Sequence, residues 1–133
     1  MIFVDTSLFL RFYLGDDEEK ARRCRALFEA IIGGKQKGFT SSLALAELVW
    51  VLEKTYEKPR SEIAEFIAGI SAMPNLTVLN GPIVERALPV YVATNMDFID
   101  AYHAALMEVQ GVRTIYTYDK HYDRLEGIAC HRP

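Results

Sequence analysis

Short β-branched runs alternate along the chain with longer stretches of helical spacing. Ile2-Phe3-Val4 reads as a short buried strand ending at Asp5, and Thr6 to Leu14 as a first helix closed by Gly15. A second helix is predicted over Asp17 to Ile32. Ala21, Cys24, Leu27, Phe28, Ile31 and Ile32 fall on one of its faces. Asp17, Glu18 and Glu19 complement the positive end of its dipole, and Gly33-Gly34 stops it. Lys37 to Thr40 is a candidate strand, and Ser41 or Ser42 caps a helix running to about Lys54. Pro59 and Ser61 precede a further helix carrying Ile63, Phe66, Ile67 and Ile70 at helical spacing. Leu76 to Leu79 reads as a strand. Helix follows from Ile83 to about Thr94, with a kink or a lost turn expected at Pro89. Another helix spans Asp97 to Gln110, ended by Gly111. Thr114 to Thr117 and Ile128 to Cys130 complete the set as strands.

Strands separated by helices, with no hairpin signal between them, predict a parallel sheet flanked by helices. In such folds ligands gather at the carboxyl ends of the strands. The 133 residues, half of them hydrophobic and a quarter charged, are enough for one domain with a sizeable core. No apolar run approaches the ~20 residues of a bilayer span. The opening Met1 to Asp5 lacks the basic start of a signal peptide. Cys24 and Cys130 form no CxxC and read as thiols of a reducing compartment, so a cytoplasmic location without membrane contact is expected. The net charge of −3 weighs against nucleic-acid binding, unless carboxylates share divalent ions whose charge reverses the local balance.

Candidate chemistry lies in the carboxylates, each of which also has an ordinary structural explanation. Asp5 ends the first strand, where it can cap the next helix or ligate metal. Glu47 is the only polar residue in Leu43 to Leu52. A helix apolar all round is expected to be buried, and a lone carboxylate there needs a partner cation or a metal. Otherwise Glu47 faces a narrow solvated stripe or an ion pair. In Asp97-Phe98-Ile99-Asp100 the two acids match a capping pair. Helical side chains point back toward the N-terminus, however, which aims Asp100 at the strand-end edge; Asp97 is assigned to capping and Asp100 to metal. Asp119 follows the strand ending at Thr117, as turn residue or ligand; Asp123 lies a turn further on. Together, Asp5, Glu47, Asp100 and Asp119 can face one edge of one sheet. Oxygen-only ligands select Mg²⁺ or Mn²⁺, and such ions on clustered carboxylates can activate water against a phosphodiester.

At these residues the sequence resembles the PIN-domain family, especially the toxin ribonucleases of VapBC-type toxin–antitoxin pairs. The likeness rests on the strand leading into Asp5-Thr6-Ser7, on Ala46-Glu47-Leu48, on Asp97 to Ala101, and on Thr117 to Asp119, in that order and spacing. It implies a single PIN domain over residues 1–133 with a three-layer α/β/α sandwich around a mostly parallel sheet. It further implies an Mg²⁺- or Mn²⁺-dependent endoribonuclease in which Asp5, Glu47, Asp100 and Asp119 are catalytic, metal-binding residues. RNA as substrate, a small antitoxin as partner and a homodimer are implied with it. Thr6 and Thr117 match positions where the family often carries hydroxyl residues beside the metal. Tyr118 departs from the basic residue many relatives carry there.

Two rival readings stay within this family: a solitary RNA-processing nuclease, and a non-catalytic binding module, which the four occupied acidic positions disfavour. A D-x-D phosphatase would need an acid where Ser7 stands. No nucleophile elbow, P-loop or dinucleotide fingerprint is present. His103, His121 and His131 lack metal-ligand spacing, and His103 reads as a packed or rim residue. Trp50 reads as core. Arg22, Arg23 and Arg25 read as a solvated face. Lys54, Lys58 and Arg60, interleaved with Tyr56, form either an ordinary loop or a single-stranded RNA contact.

Overall fold

The computed structural model describes all 133 residues. The hydrophobic periods become an α/β arrangement of five strands and six helices. In chain order these are β1 (Ile2–Phe3), α1 (Thr6–Leu14), α2 (Glu18–Ile32), β2 (Gly38–Ser41), α3 (Ser42–Lys54) and α4 (Arg60–Ser71). There follow β3 (Leu76–Leu79), α5 (Gly81–Ala93), α6 (Phe98–Gln110), β4 (Thr114–Tyr116), a 3₁₀ turn (Lys120–Arg124) and β5 (Ala129–His131). Every strand pairing is parallel. The strands are hydrogen-bonded in two groups, a sheet of β1, β2 and β3 with β2 in the middle, and a separate β4–β5 pair.

Local chemistry sets the boundaries. Asp5, Asp17 and Ser41 each accept a backbone N–H of the helix they precede, which satisfies a donor the first turn leaves free. Gly15 and Gly111 end α1 and α6 in the left-handed conformation. The chain remains helical through Pro89 to Ala93. At Gly38 an added Cβ would lie 2.8 Å from Leu76 Cδ1 and 3.1 Å from Ile31 Cδ1, so β2 can only pack this closely with no side chain there.

The core is continuous from Val4 and Phe9 through Phe28 and Ile31 to Leu45, Leu48, Leu52, Ile63, Ile67 and Tyr91. Arg22, Arg23 and Arg25 lie on the solvated side of α2, as expected. Helix α3 departs from expectation. It buries Leu45, Leu48, Val49 and Leu52 but turns Leu43, Glu47 and Trp50 outward. Trp50 is 60% exposed and Leu43 80%. The tryptophan is therefore not core, and Glu47 is not on a helix buried all round. An apolar stripe at helical spacing identifies a buried arc; it does not require that every apolar residue enter it. Cys24 and Cys130 are free. No helix is long and apolar enough to cross a membrane.

Candidate metal centre

The first carboxylate is set by the end of β1. Val4 N–H donates to Phe39 O at 2.8 Å, and the fully buried Thr40 hydroxyl donates to Val4 O at 2.8 Å. Asp5 thus leaves the sheet at a fixed point. Its Oδ2 accepts the Ser7 hydroxyl at 2.7 Å and the Ser7 N–H at 3.2 Å. Those two bonds, the hydroxyl first, hold Asp5 below the ordinary carboxylate range. Asp5 is thus a cap, as one reading of the sequence had it, but the capping uses only one of its oxygens.

The next residue connects Asp5 to α3. Thr6 is buried, and its hydroxyl lies 3.0 Å from Ala44 O and 3.1 Å from Glu47 Oε2. One side chain therefore ties the start of α1 to the first turns of α3 and brings Glu47 beside the Asp5 end of β1. No other hydrogen bond and no cation reaches the Glu47 carboxylate.

Asp100 and Asp119 form the second pair. Asp100 sits in the first turn of α6, where Tyr122 donates its hydroxyl to Oδ1 at 3.1 Å. Its carboxyl is raised above the ordinary range by burial first. The Tyr122 bond pulls the other way, and the neighbouring Asp119 adds to the rise. Asp119 precedes the 3₁₀ turn, and its Oδ1 accepts His121 N–H at 2.8 Å and lies 2.7 Å from His121 Nδ1. The His121 N–H, ahead of the other causes, holds Asp119 low. Thr117 contributes by accepting the Asp119 N–H at 3.0 Å on its hydroxyl.

The four carboxylates share a feature. Each is anchored through one oxygen, and none has a Lys or Arg within 4.0 Å. Neighbouring acids are treated differently. Asp97 marks the start of α6 but makes no side-chain capping bond; it lies instead 3.9 Å from Lys54 Nζ, which corrects its assignment as a cap. Asp123 makes a two-pronged pair with Arg132 at 2.8 and 2.9 Å. Of the four candidate acids, Asp100 lies beside Asp119, and Glu47 is tied through Thr6 to the chain next to Asp5. No three Asp, Glu, His or Cys side chains converge closely enough to enclose one ion. The donor chemistry fits a hard divalent cation: oxygen atoms only, each carboxylate held by a hydrogen bond, with the like-charged Asp100–Asp119 pair lacking a Lys or Arg.

The model of the PIN domain matches residues 2–128. The chain belongs to the PIN domain family. A curated relative, the VapC ribonuclease of Aquifex aeolicus, is 25% identical over 125 residues, which cover 94% of this chain and 92% of that protein. Among solved structures, the Mycobacterium tuberculosis sarcin–ricin loop cleaving toxin VapC20 aligns with a TM-score of 0.41 at 21% identity, over 92% of this chain and 93% of its own.

Within this PIN domain, sequence reasoning missed Tyr122, whose hydroxyl orients Asp100, and the His121 contacts that hold Asp119. The one available signal was their spacing, two and three residues beyond Asp119 in a segment with no clear period. Of the two readings the sequence left for Arg60, ordinary loop or RNA contact, the structure favours neither: the residue opens α4 and is enclosed within the protein. Its guanidinium donates to Tyr91 O at 3.0 Å, to Thr94 O at 3.3 Å and to Met96 O, pairs with Glu53 at 3.0 Å, and lies 4.4 Å from the Tyr91 ring centroid. His103 is exposed on α6, away from any acidic partner.

Proposed function

We propose that this PIN domain is a divalent-metal-dependent endoribonuclease and the toxin of a toxin–antitoxin pair, with Asp5, Glu47, Asp100 and Asp119 as its catalytic metal ligands. The observation that carries the reading is the one-sided anchoring of these four carboxylates without a Lys or Arg. Family membership and the VapC ribonuclease relative support it.

These carboxylates would hold Mg²⁺ or Mn²⁺. When bound, such an ion supplies the positive charge and Lewis acidity that an all-acidic site needs to accept a phosphodiester. The protein's own part is orientation. Thr6 fixes Glu47 through Oε2, and Ser7 fixes Asp5 through Oδ2. Tyr122 and His121 hold Asp100 and Asp119 by Oδ1. The other oxygen of each would be the one that meets the ion. Holding Asp100 and Asp119 together costs like-charge repulsion in the folded protein, which a cation relieves.

The partners follow from the same reading. A small antitoxin with a basic segment would cover the acidic site, since Arg and Lys are what bare carboxylates attract. The protein is expected to work as a homodimer in the cytoplasm. Incubating purified protein with single-stranded RNA tests the activity. Cleavage should require Mg²⁺ or Mn²⁺ and stop in excess EDTA; cleavage that persists in EDTA contradicts the metal-dependent mechanism.

A further inference from the structure

The site does not end at the carboxylates. Between α3 and the start of α6 lies a cleft of about 330 Å³, lined by Val49, Trp50 and Ile99, with Lys54 and the acids Glu53, Asp97 and Asp100 among its charged groups. One of its walls is thus a carboxylate of the candidate metal centre. Another is the chain's only tryptophan, 60% exposed. Glu47, Trp50 and Lys54 follow one another along one face of α3 at three- and four-residue spacing, so the indole lies one turn from Glu47 and the ammonium one turn beyond.

A flat aromatic surface, an apolar floor and a charged rim together match what a nucleobase needs: a π-face to stack on and polar groups for its edge. We propose that this cleft receives the nucleobase adjoining the scissile phosphodiester, stacked on Trp50, with Lys54 meeting the next phosphate along the strand. Lys54 is half exposed and 3.9 Å from Asp97, a contact long enough to yield to a phosphate. The inference rests on the ribonuclease reading above and names where its substrate lies.

A second copy of the chain is the competing occupant, because Leu43 and Trp50 are both large, apolar and exposed. Glu47 argues against it. It lies between them on the same face with no cation partner, so a protein surface laid flat there would bury an unpaired carboxylate. Metal-bearing RNA instead brings cations to Glu47.

Because Trp50 is the only tryptophan, its fluorescence reports this cleft alone. Titrating a short single-stranded adenine oligoribonucleotide into the full chain, with Ca²⁺ in place of Mn²⁺, should quench it saturably. In Mn²⁺, Trp50→Ala should raise KM for the same RNA about 5- to 150-fold, the range set by ~1–3 kcal/mol of stacking per base. Its kcat should change little, and Trp50→Phe should restore KM. Lys54→Ala should flatten the salt dependence of binding by about one phosphate contact. Trp50 is exposed, so folding of these variants can be verified by their melts. Fluorescence indifferent to RNA, with an unchanged KM in Trp50→Ala, overturns the subsite while leaving a cleaving parent enzyme intact. Emission that instead shifts with protein concentration, with Trp50→Ala sedimenting as a smaller species, assigns the face to a second copy and also overturns it. A parent that fails to cleave in Mn²⁺ counts against the ribonuclease reading itself; saturable quenching would then still establish the cleft as an RNA-binding site.

Discussion

Two glutamates on the same helix, Glu47 and Glu53, have opposite fates. Glu53 is enclosed: Arg60 pairs with Oε1 at 3.0 Å and Tyr91 donates its hydroxyl to Oε2 at 2.8 Å, with the side chains only 18% and 23% exposed for Glu53 and Arg60. Both of its oxygens are spoken for within the protein. The same guanidinium bonds the carbonyls of Tyr91, Thr94 and Met96, and so fixes the turn from α5 into α6. Glu47, on the outer face, has one bond from Thr6 and no cation. An acid whose charge is answered inside the protein is part of the architecture. An acid held firmly in position and left unanswered is available to a ligand.

Breaking the enclosed half should have the largest effect on stability. Arg60→Met strands the Glu53 carboxylate and releases three carbonyls, and it should cost ~3–5 kcal/mol in denaturant unfolding. Arg60→Lys should rescue little of that, because an ammonium cannot reproduce the planar set of donors. A loss below about 1 kcal/mol for either variant would mean that this network does not hold the α5–α6 turn.

Breaking the open half should leave the fold intact and remove the chemistry. Asp100→Asn should cut RNA cleavage in Mn²⁺ about 100-fold or more, since several kcal/mol of transition-state charge stabilisation is at stake. Its melting temperature in EDTA should equal or exceed that of the parent, because one of two adjacent like charges is gone. Retained cleavage would separate Asp100 from the site.

A pH series in EDTA sharpens the same contrast. Asp100 titrates above the ordinary Asp value of 3.8 in the folded protein, chiefly through burial. It therefore contributes stability while protonated, and that contribution is lost as pH rises through its folded pKa. Asp119 is held below 3.8, so its contribution is lost only at lower pH, as pH falls through its folded pKa. Above pH 3.8 the parent should lose stability relative to Asp100→Asn as pH rises, then run parallel to it. A constant difference across this range would contradict the raised pKa.

The smallest effect is expected at Asp123, an acid answered by Arg132 at the surface. Asp123→Asn should lower the melting temperature only slightly at neutral pH and leave cleavage unchanged. A large loss of cleavage would move Asp123 into the site.

These contrasts also mark what could be read from the sequence. Strand ends and helix starts were legible because capping residues and glycines act locally: Thr6 to Leu14 and Leu76 to Leu79 have the bounds their patterns predict. Asp5, Glu47, Asp100 and Asp119 stood out because Asp5 and Asp119 follow strands, Asp100 lies at a helix start and Glu47 interrupts an apolar run. The exposure of Trp50 was hidden, because which arc of an almost wholly apolar helix turns inward depends on neighbours far along the chain. Arg60 was hidden for the same reason. Its carbonyl partners lie 31 to 36 residues away, and nothing local distinguishes a basic residue that will be enclosed from one that will not. The separation of β4 and β5 from the main sheet was likewise invisible, since strands of three residues carry almost no pattern.

The central claim is that the four carboxylates without a Lys or Arg partner hold a divalent ion, and Glu47→Gln tests it most directly. Glu and Gln have nearly the same shape, and at an exposed position the exchange should alter metal-free stability by no more than ~0.5 kcal/mol. Thermal melts of parent and variant, each in EDTA and in Mn²⁺, give the answer. Mn²⁺ should raise the parent's melting temperature by linkage to the folded state, and should raise that of Glu47→Gln distinctly less. Equal Mn²⁺ shifts in the two proteins, together with undiminished RNA cleavage by the variant, would contradict the claim.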